Sequence, residues 1–485
     1  MFIRHTGFDT GGRFYSLTAH LDCTWQHWSR ALYLHTVLIE MNSSANSHSR
    51  PPTPRQWRSS LVAVLLVAFL IYIWIVPLFH PRGEFLWGHY RLKDIYLGIP
   101  IAVAAICVIV VLVVPARYKR SLSLRLTTLA IAILVAFAIC DAGYAFGVNG
   151  AWKPNYWLDQ GHISRRHSAA DSELGFVRKP FVSWQGYVPD ANRFVEYRSD
   201  ENGFRNPPGQ RRADLVFIGD SYTEAGTVAE ENTFVRRVAQ STGLSVVNLG
   251  RGAYGPQQEL IVLNRYGLSY EPRVVVWQLF EGNDLPDAEV FAAWTKNPHQ
   301  VNTSLKQRYL DNSLLTEWLT KTRPHVRAGP MATLRYDDGT VRRVHLRYRH
   351  DPDQPAGNPT GITETTRAIE AGQRLCESRG IQLLVVFIPT MVRVMAPEIS
   401  FDSVEDQKLY LPERAGTDQK DFSATIEELC TRIGCSFVDI FAAFRQATAN
   451  GIHDLYIPND EHLDIGGHDV MTQIIVAWLQ SQKHP

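Results

Sequence analysis

Three long apolar runs occupy the first third of the chain and constrain its fold more than any other feature. Leu61–Phe79 and Ile95–Val114 contain no Asp, Glu, Lys or Arg, and Leu126–Phe146 contains only Asp141, near its end. Each run is long enough to cross about 30 Å of hydrocarbon as a helix. Because a buried helix of a soluble protein seldom reaches this length without a charge, we expect three transmembrane helices, with Asp141 at the outer end of the third.

Basic residues are distributed unevenly around these runs. Met41–Ser60, before the first run, carries three arginines and no acid, and the loop after the second run carries four basic residues and no acid. The positive-inside rule places both segments in the cytoplasm. Three crossings then put everything after about residue 147 outside the cytoplasm, in the periplasm if the source is bacterial.

Composition divides the chain into a cytoplasmic tail, the three spans, a linker with an N-terminal arm, and a folded domain. Met41 opens a basic stretch rich in Ser, Asn and Pro, so we expect the natural start there, with residues 1–40 as an upstream extension. The arm is rich in Trp, Tyr, Pro and Arg and lacks long periodic runs. The four segments are residues 1–60, 61–146, 147–212 and 213–485.

Short apolar runs alternate with amphipathic stretches from Ala213 onward. Runs of this length with β-branched residues are typical of buried parallel strands, and the stretches between them of helices. We therefore expect an α/β domain with helices on both faces of a parallel sheet. The predicted strands are 214–218, 244–248, 273–279, 382–388 and 436–440, and the predicted helices are 232–242, 256–267, 362–379, 421–432 and 467–482.

One gap in this alternation, about 285–362, is too long for a plain connection. We expect an insertion there, with a helix near 312–322 and a hairpin across 333–348 around the turn Asp337–Thr340. An insertion near the C-terminal edge of the sheet would help to shape a substrate cleft.

A serine directly follows the first predicted strand, in the sequence Gly219-Asp220-Ser221. A serine between a strand and a helix lies where backbone N–H groups converge and can hold a developing anion. The same residue types also form ordinary strand-ending turns. Partners at the carboxyl ends of other strands would therefore decide between the two interpretations.

Such partners follow the later strands. Acyl transfer through serine needs a nucleophile, a base, an acid that orients the base, and N–H donors for the oxyanion. Ser221 would attack, His462 would take its proton, and Asp460 would orient His462. The N–H of Ser221, a backbone N–H of the glycine-rich loop Asn248–Gly255 and the side chain of Asn283 would form the oxyanion hole.

Four blocks of the sequence together resemble, in order, those of SGNH (GDSL-type) hydrolases. They are Gly219-Asp220-Ser221, Asn248…Tyr254-Gly255, Gly282-Asn283-Asp284 and Asp460…His462, within roughly residues 200–482. Asn202-Gly203-Phe204-Arg205 also resembles a subgroup of membrane-tethered members. The resemblance implies a three-layer, flavodoxin-like α/β/α sandwich that hydrolyses or transfers O-acyl groups without a metal or other cofactor.

Two departures from the family pattern affect the site. Many members have the acid three residues before the histidine, where this chain has Asn459, whereas Asp460 lies two before it, as in members resembling polysaccharide O-acetyltransferases. The family's oxyanion glycine falls at Ala253. Because alanine is strained at positive φ, Gly252 or Gly250 could donate instead.

These features predict a membrane-anchored, extracytoplasmic serine esterase acting on O-acyl esters, acetyl esters foremost, of a small molecule or carbohydrate. One alternative is an O-acetyltransferase that modifies an envelope or exported polysaccharide and depends on a membrane partner for the acyl donor. Another is a catalytically silent carbohydrate-binding module. The net charge of +1 gives no reason to expect a nucleic-acid partner. Cys430 and Cys435 bracket a predicted helix end and form either a local disulfide or two unpaired thiols.

Overall fold

The computed structural model describes residues 119–159, 163–299, 303–316, 329–412 and 421–482, with a few positions between 102 and 109. The predicted span Leu61–Phe79 and the extension 1–40 lie outside the described residues, as does almost all of Ile95–Val114. In chain order the strands are β1 Ser168–Asp171, β2 Gly175–Arg178, β3 Ser183–Val188, β4 Arg193–Arg198, β5 Leu215–Ile218, β6 Val246–Asn248, β7 Val274–Phe280, β8 Met331–Arg335, β9 Val341–His345, β10 Gln382–Ile388, β11 Ile399–Phe401 and β12 Ser436–Asp439.

The α-helices range from a single turn to 24 residues. Short 3₁₀ turns and one π-helical turn, Gly143–Val148, supplement them. In chain order they are α1 Lys119–Ala142, α2 Ser221–Glu224, α3 Phe234–Thr242, α4 Pro256–Arg265, α5 Asp284–Lys296, α6 Leu305–Asn312, α7 Gln354–Gly357, α8 Pro359–Glu377, α9 Met391–Val394, α10 Val404–Tyr410, α11 Phe422–Ile433, α12 Phe441–Ala449 and α13 Ile465–Ser481.

A five-stranded parallel sheet lies at the centre of the domain, in the order β6-β5-β7-β10-β12. Leu215 on β5 pairs with Val246 on one side and with Val274 on the other. Numbered by position in the chain, the order is 2-1-3-4-5, the flavodoxin-like arrangement, whose ligand crevice lies between its first and third strands. The predicted parallel sheet is confirmed, and each predicted strand lies within two residues of an observed one.

Helices cover both faces of the sheet because alternate strand residues face opposite cores. Leu215 and Phe217 belong to a core that includes residues of α3, α12 and α13. Val216 and Ile218 belong to a second core that includes residues of α4, α8 and α11. All four strand residues are almost fully buried, so β5 reads as a continuous apolar run rather than an alternating one.

The N-terminal arm contains two antiparallel hairpins, β1–β2 and β3–β4, that sequence patterning did not predict. Their strands are only four to six residues long, and a clear alternation of buried and exposed residues is confined to the end of β4. Aromatic contacts hold them in place: Trp184 stacks on Tyr197 with centroids 3.9 Å apart, and Phe176 packs against Tyr254 of the domain. The arm is therefore packed onto the sheet domain.

The insertion contributes β8 and β9 to a small antiparallel sheet in the order β11-β8-β9, whose third strand, β11, follows β10 in the chain. The predicted hairpin is present, since Arg335 pairs with Val341 across the turn Asp337–Thr340. Helix α6 begins after Ser304, whose side chain accepts the N–H of Gln307. The helix predicted near 312–322 lies largely outside the described residues, although positions 314–316 are helical. Helix α5 was not predicted because Asn283-Asp284 and Pro286 are typical of a turn, although Pro is compatible with a first helical turn.

The chain contains one described helical segment long and apolar enough to cross a membrane, Thr127–Val148, with a mean hydropathy of 2.2. It coincides with the third predicted span. Ile131 and Ile139 are 56% and 67% exposed on its surface. Asp141 is instead buried, and its carboxylate accepts hydrogen bonds from Tyr309 Oη at 2.6 Å and from the backbone N–H of Leu314 at 2.7 Å. The acid therefore fastens the end of this helix to the insertion.

The cysteine alternatives are also distinguished. Cys430 and Cys435 are free thiols in the structure.

Candidate active site

Ser221 lies at the carboxyl end of β5, on a sharp turn into the single-turn helix α2. Gly219 makes the turn possible at φ +152°, where an added Cβ would lie 2.5 Å from Thr223 Oγ1 and 2.6 Å from Gln278 Oε1. Asp220 caps the turn by accepting the N–H of Tyr222 at 2.9 Å. The turn thus places Ser221 beside the crevice between β5 and β7.

Ser221, His462 and Asp460 form a continuous hydrogen-bonded chain. Ser221 Oγ lies 2.8 Å from His462 Nε2, and His462 Nδ1 lies 2.6 Å from Asp460 Oδ1. Because the carboxylate can only accept at Nδ1, the neutral imidazole carries its proton there and presents a lone pair at Nε2 to the serine hydroxyl. This is the relation between nucleophile, base and orienting acid that acyl transfer requires.

The charges around the imidazole favour its protonated form. Burial alone would lower the pKa of His462, but the hydrogen bond to Asp460 and the charges of Asp460 and Asp220 outweigh it and raise the pKa above 6.5. Burial would likewise raise the pKa of Asp460, but the hydrogen bond and charge of His462 hold it below its ordinary value. Asp460 is therefore ionised and can stabilise the imidazolium that forms when Ser221 loses its proton.

Two residues in left-handed conformations flank Asp460, namely Asn459 at φ 64° and Glu461 at φ 68°. The insertion holds both: the N–H of His345 donates to Asn459 Oδ1 at 2.7 Å, and the N–H groups of Arg347 and Tyr348 donate to Glu461 at 2.9 and 3.1 Å. Asn459 lies three residues before His462, and its side chain binds the insertion. The clamped loop directs Asp460 toward the imidazole instead.

Ala253 is the residue of the glycine-rich loop best placed to donate to an oxyanion. It has φ 66° and borders the same cleft as Ser221, and within the described residues neither backbone N–H has an acceptor. The other two predicted candidates, Gly252 and Gly250, have acceptors elsewhere in the structure. The Gly252 N–H donates to Glu224 Oε2 at 2.7 Å, and the Gly250 N–H donates to Asn248 Oδ1 at 2.9 Å.

Asn283 lies in the cleft as predicted, but carboxylates hold its amide. Asn283 Nδ2 donates to Asp220 Oδ2 at 3.1 Å and to Asp287 Oδ2 at 2.8 Å, which uses both of its hydrogens. Burial and the charge of Asp220 raise the pKa of Asp287 to about 7. Asn283 can therefore serve an oxyanion only by exchanging one of these bonds, and the bond to Asp287 is the one that titrates near neutrality.

Glu224 is a component of the site that sequence patterning did not identify. Its buried carboxylate accepts hydrogen bonds from Arg178, from Arg251 Nη1 at 3.2 Å, from Tyr197 Oη at 2.7 Å and from the Gly252 N–H. Burial would raise its pKa, but the charges of the two arginines hold it well below the ordinary value. Since two donors come from the N-terminal arm, no spacing within the domain could have revealed this cluster.

The cluster fixes the glycine-rich loop against the nucleophile. A Cβ on Gly250 would lie 2.4 Å from the backbone nitrogen of Glu224, and one on Gly252 would lie 3.4 Å from Ser221 Cβ. This approach is possible only for glycine at position 250. Glu224 therefore joins the arm, the nucleophile turn and the loop that presents Ala253.

Ser221 and His462 open into a cleft of about 760 Å³. A cleft of this size accommodates a small or medium-sized ligand. Within the parts of the chain that the structure describes, no cluster of His, Cys, Asp and Glu could hold a metal ion. The other walls of the cleft include Arg178, Trp184, Arg251, Asn283, Asp287, Arg347 and Tyr348.

No protein-family model matches the chain. No curated protein matches it either. Solved structures that align with it include a lipase/acylhydrolase from Enterococcus faecalis, with 14% identity, coverage of 55% of this chain and 95% of the other, and a TM-score of 0.29. An acetylxylan esterase from Geobacillus stearothermophilus aligns with 12% identity, coverage of 54% and 92%, and a TM-score of 0.28.

Proposed function

We propose that this protein is a membrane-anchored serine esterase of the SGNH type that hydrolyses O-acyl esters outside the cytoplasm. One observation carries the proposal: the hydrogen-bonded chain from Asp460 through His462 to Ser221 opens into a cleft beside two backbone N–H groups. The order of the motif blocks favours the same chemistry. Acetyl is the acyl group that the resemblance to this family favours.

The first half of the reaction forms an acyl-enzyme. Ser221 Oγ attacks the ester carbonyl while its proton passes to His462 Nε2, and the carbonyl oxygen becomes the oxyanion. The N–H groups of Ser221 and Ala253 stabilise that oxyanion, and Asn283 joins them when it exchanges its bond to Asp287. The intermediate collapses as His462 gives its proton to the leaving alcohol, which breaks the original ester bond.

The second half releases the acid. Water enters the cleft, gives a proton to His462 Nε2 and attacks the acyl carbon on Ser221. The second tetrahedral intermediate uses the same N–H donors. Its collapse breaks the acyl–serine bond, and His462 returns the proton to Ser221 Oγ. The products are a carboxylic acid and an alcohol.

Membrane anchoring rests on the apolar helix Thr127–Val148 and on the charge bias around the predicted spans. Asp141 is buried against the insertion of the catalytic domain, so the same helix end would hold that domain close to the bilayer. In this topology the N-terminus is cytoplasmic and the cleft faces the other compartment. A reporter fused after Gly150 that showed cytoplasmic exposure would contradict it.

The test of the esterase proposal uses the full chain purified in detergent. The parent protein should release acetate from 4-nitrophenyl acetate, and Ser221→Ala should abolish turnover while the unfolding transition stays unchanged. Turnover of Ser221→Ala near that of the parent would refute the proposal.

Transfer to a sugar hydroxyl is the second candidate. The spacing Asp460-x-His462 resembles that of polysaccharide O-acetyltransferase-like members, which favours this reading over a silent binding module. A glycan hydroxyl would replace water in the second half of the reaction, and a membrane partner would supply the acyl donor. A mass increase of added glycan that depends on Ser221 would decide for transfer.

A further inference from the structure

Arg347 has a fixed position beside the catalytic loop. Its backbone N–H donates to Glu461 Oε1 at 2.9 Å, and the N–H of the adjacent Tyr348 donates to Glu461 Oε2 at 3.1 Å. Glu461 directly precedes His462 and is fully buried. The segment after β9 is therefore anchored to the loop that carries the base, and the root of the Arg347 side chain is held at the rim of the cleft.

The Arg347 guanidinium is exposed to the cleft and has no carboxylate partner within the described residues. Two nearby arginines do have one: Arg343 pairs with Asp402 at 2.5 Å, and Arg349 pairs with Asp351 at 3.3 Å. The Arg347 guanidinium instead lies over the Tyr348 ring, 5.1 Å from its centroid. Arg347 therefore presents an uncompensated charge to the cleft.

The positive charge of Arg347 affects the titratable groups of the site. Burial and Asp460 have the largest effects on the pKa of His462, and Arg347 has a smaller effect that lowers it. Arg347 also acts to lower the pKa of Asp287. Such coupling places Arg347 within electrostatic range of both walls of the cleft.

The acids of the cleft are bound to partners other than Arg347. Arg178 and Arg251 share the single carboxylate of Glu224, so that wall already holds two guanidinium groups for one acid. Asp287, on the other wall, has a pKa of about 7 and is only partly ionised at neutral pH. Ionised Asp460 pairs with His462, and within the described residues none of these carboxylates forms an ion pair with Arg347.

We propose that Arg347 is a specificity-determining residue that binds an anionic group on the ester substrate, a carboxylate or a phosphate. The inference rests on the proposed esterase function and narrows its substrate class to O-acylated anionic molecules. A guanidinium forms paired hydrogen bonds with either oxyanion, and a clamped backbone reduces the ordering cost of making them. Uncharged esters are poorer substrates because they leave the guanidinium without a partner.

The experiment compares charged and uncharged members of two matched pairs, with acetate release as the readout. One pair is partially O-acetylated oligogalacturonate and its carboxyl methyl ester. The other is 1-acetylglycerol 3-phosphate and 1-acetylglycerol. The full chain in detergent should prefer the charged member of one pair by about ten- to a hundredfold in kcat/KM, mainly through KM. A preference in the galacturonate pair identifies the bound anion as a carboxylate, and a preference in the glycerol pair identifies it as a phosphate.

Variants then assign the preference to Arg347. Arg347→Gln should lower the charged-to-uncharged ratio by about tenfold or more, and Arg347→Lys should restore part of it. Arg349→Gln is the matched control on the same segment, because its guanidinium pairs with Asp351 outside the cleft, and it should leave the ratio unchanged. Equal rates on both members of each pair, or a ratio that survives Arg347→Gln, would overturn the inference and leave the esterase proposal standing.

Equilibrium binding separates the two proposals. Unacetylated trigalacturonate and glycerol 3-phosphate are titrated onto Ser221→Ala, with and without Arg347→Gln. Salt-sensitive binding that Arg347→Gln weakens supports the anion site even if the parent cleaves no acetyl ester, a result that would count against the esterase proposal alone. If the parent cleaves no acetyl ester, absence of binding of both anions would overturn the anion site.

Discussion

Glu224 accepts the backbone N–H of Gly252 at 2.7 Å, and this bond fixes the residue that precedes Ala253. The same carboxylate is held by Arg178 and Tyr197 of the N-terminal arm. A hydrophobic or hydroxyl-bonded contact could not fulfil this role, because the buried arginines require a charged partner. The arm, the nucleophile turn and the oxyanion loop are thus connected through one side chain.

Replacement of that carboxylate tests the connection. Glu224→Gln leaves two buried guanidinium groups without an anionic partner and should lower the free energy of unfolding by about 3 kcal/mol. Misplacement of Ala253 should also lower kcat about 10- to 100-fold with little change in KM. Denaturant unfolding and steady-state kinetics check both effects. Glu230→Gln is the control, since Glu230 pairs with Arg236 near the surface, and its effect on unfolding should stay below about 1 kcal/mol.

The role of Asp460 as the acid that orients His462 can be tested by moving the carboxylate along the chain. Asp460→Asn should reduce kcat by about 10⁴-fold, because the amide no longer favours the Nδ1–H tautomer of His462. The further change Asn459→Asp, which restores the family's usual spacing, should not rescue it. Asn459 Nδ2 donates to Asp190 at 2.8 Å, so a second carboxylate there would meet Asp190 rather than His462. Recovery of kcat in the double variant would contradict the assignment of Asp460.

The rate should depend on pH through His462. The base must be neutral to accept the proton of Ser221, and its pKa is raised above 6.5, so kcat/KM for an uncharged ester should rise with pH and inflect above that value. Since Arg347 acts to lower this pKa, Arg347→Gln should move the inflection to higher pH. Rates measured between pH 5 and pH 9 check both statements. An inflection that moved to lower pH in Arg347→Gln would contradict the proposed proximity.

Asp287 should make the folded state less stable as pH rises. Its pKa is raised from 3.8 to about 7, so the folded protein binds this proton more readily than the unfolded chain does. Its contribution to stability is full below the unfolded pKa and is lost as pH rises through the folded one. Asp287→Asn should therefore raise Tm relative to the parent more at pH 8 than at pH 5. An equal difference in Tm at the two pH values would show that Asp287 does not titrate as stated.

Sequence patterning located the sheet because its strands are buried on both faces and read as short apolar runs. Ser221, His462 and Asp460 were also recognisable, since each follows a strand or lies in an ordered motif block. The oxyanion donors were predicted less well. Gly252 was one candidate, but its N–H donates to the carboxylate of Glu224, which lies 28 residues earlier in the chain.

The remaining features depend on contacts between segments far apart in the chain. The hairpins of the arm have short strands with little alternation, yet they supply two of the donors to Glu224. The left-handed conformations of Asn459 and Glu461 are stabilised by an insertion more than 100 residues away, at separations of 114 positions. Local sequence contains no signal for either.

The most direct test of the account is chemical trapping of the nucleophile. The full chain is mixed with 4-nitrophenyl acetate, quenched in acid within the first turnover, digested and analysed by mass spectrometry. The account predicts an added acetyl group on the peptide that contains Ser221, formed in a burst and lost on longer incubation, and absent in Ser221→Ala. Turnover of the ester with no acetyl group on Ser221, or with acetylation unchanged in Ser221→Ala, would contradict it.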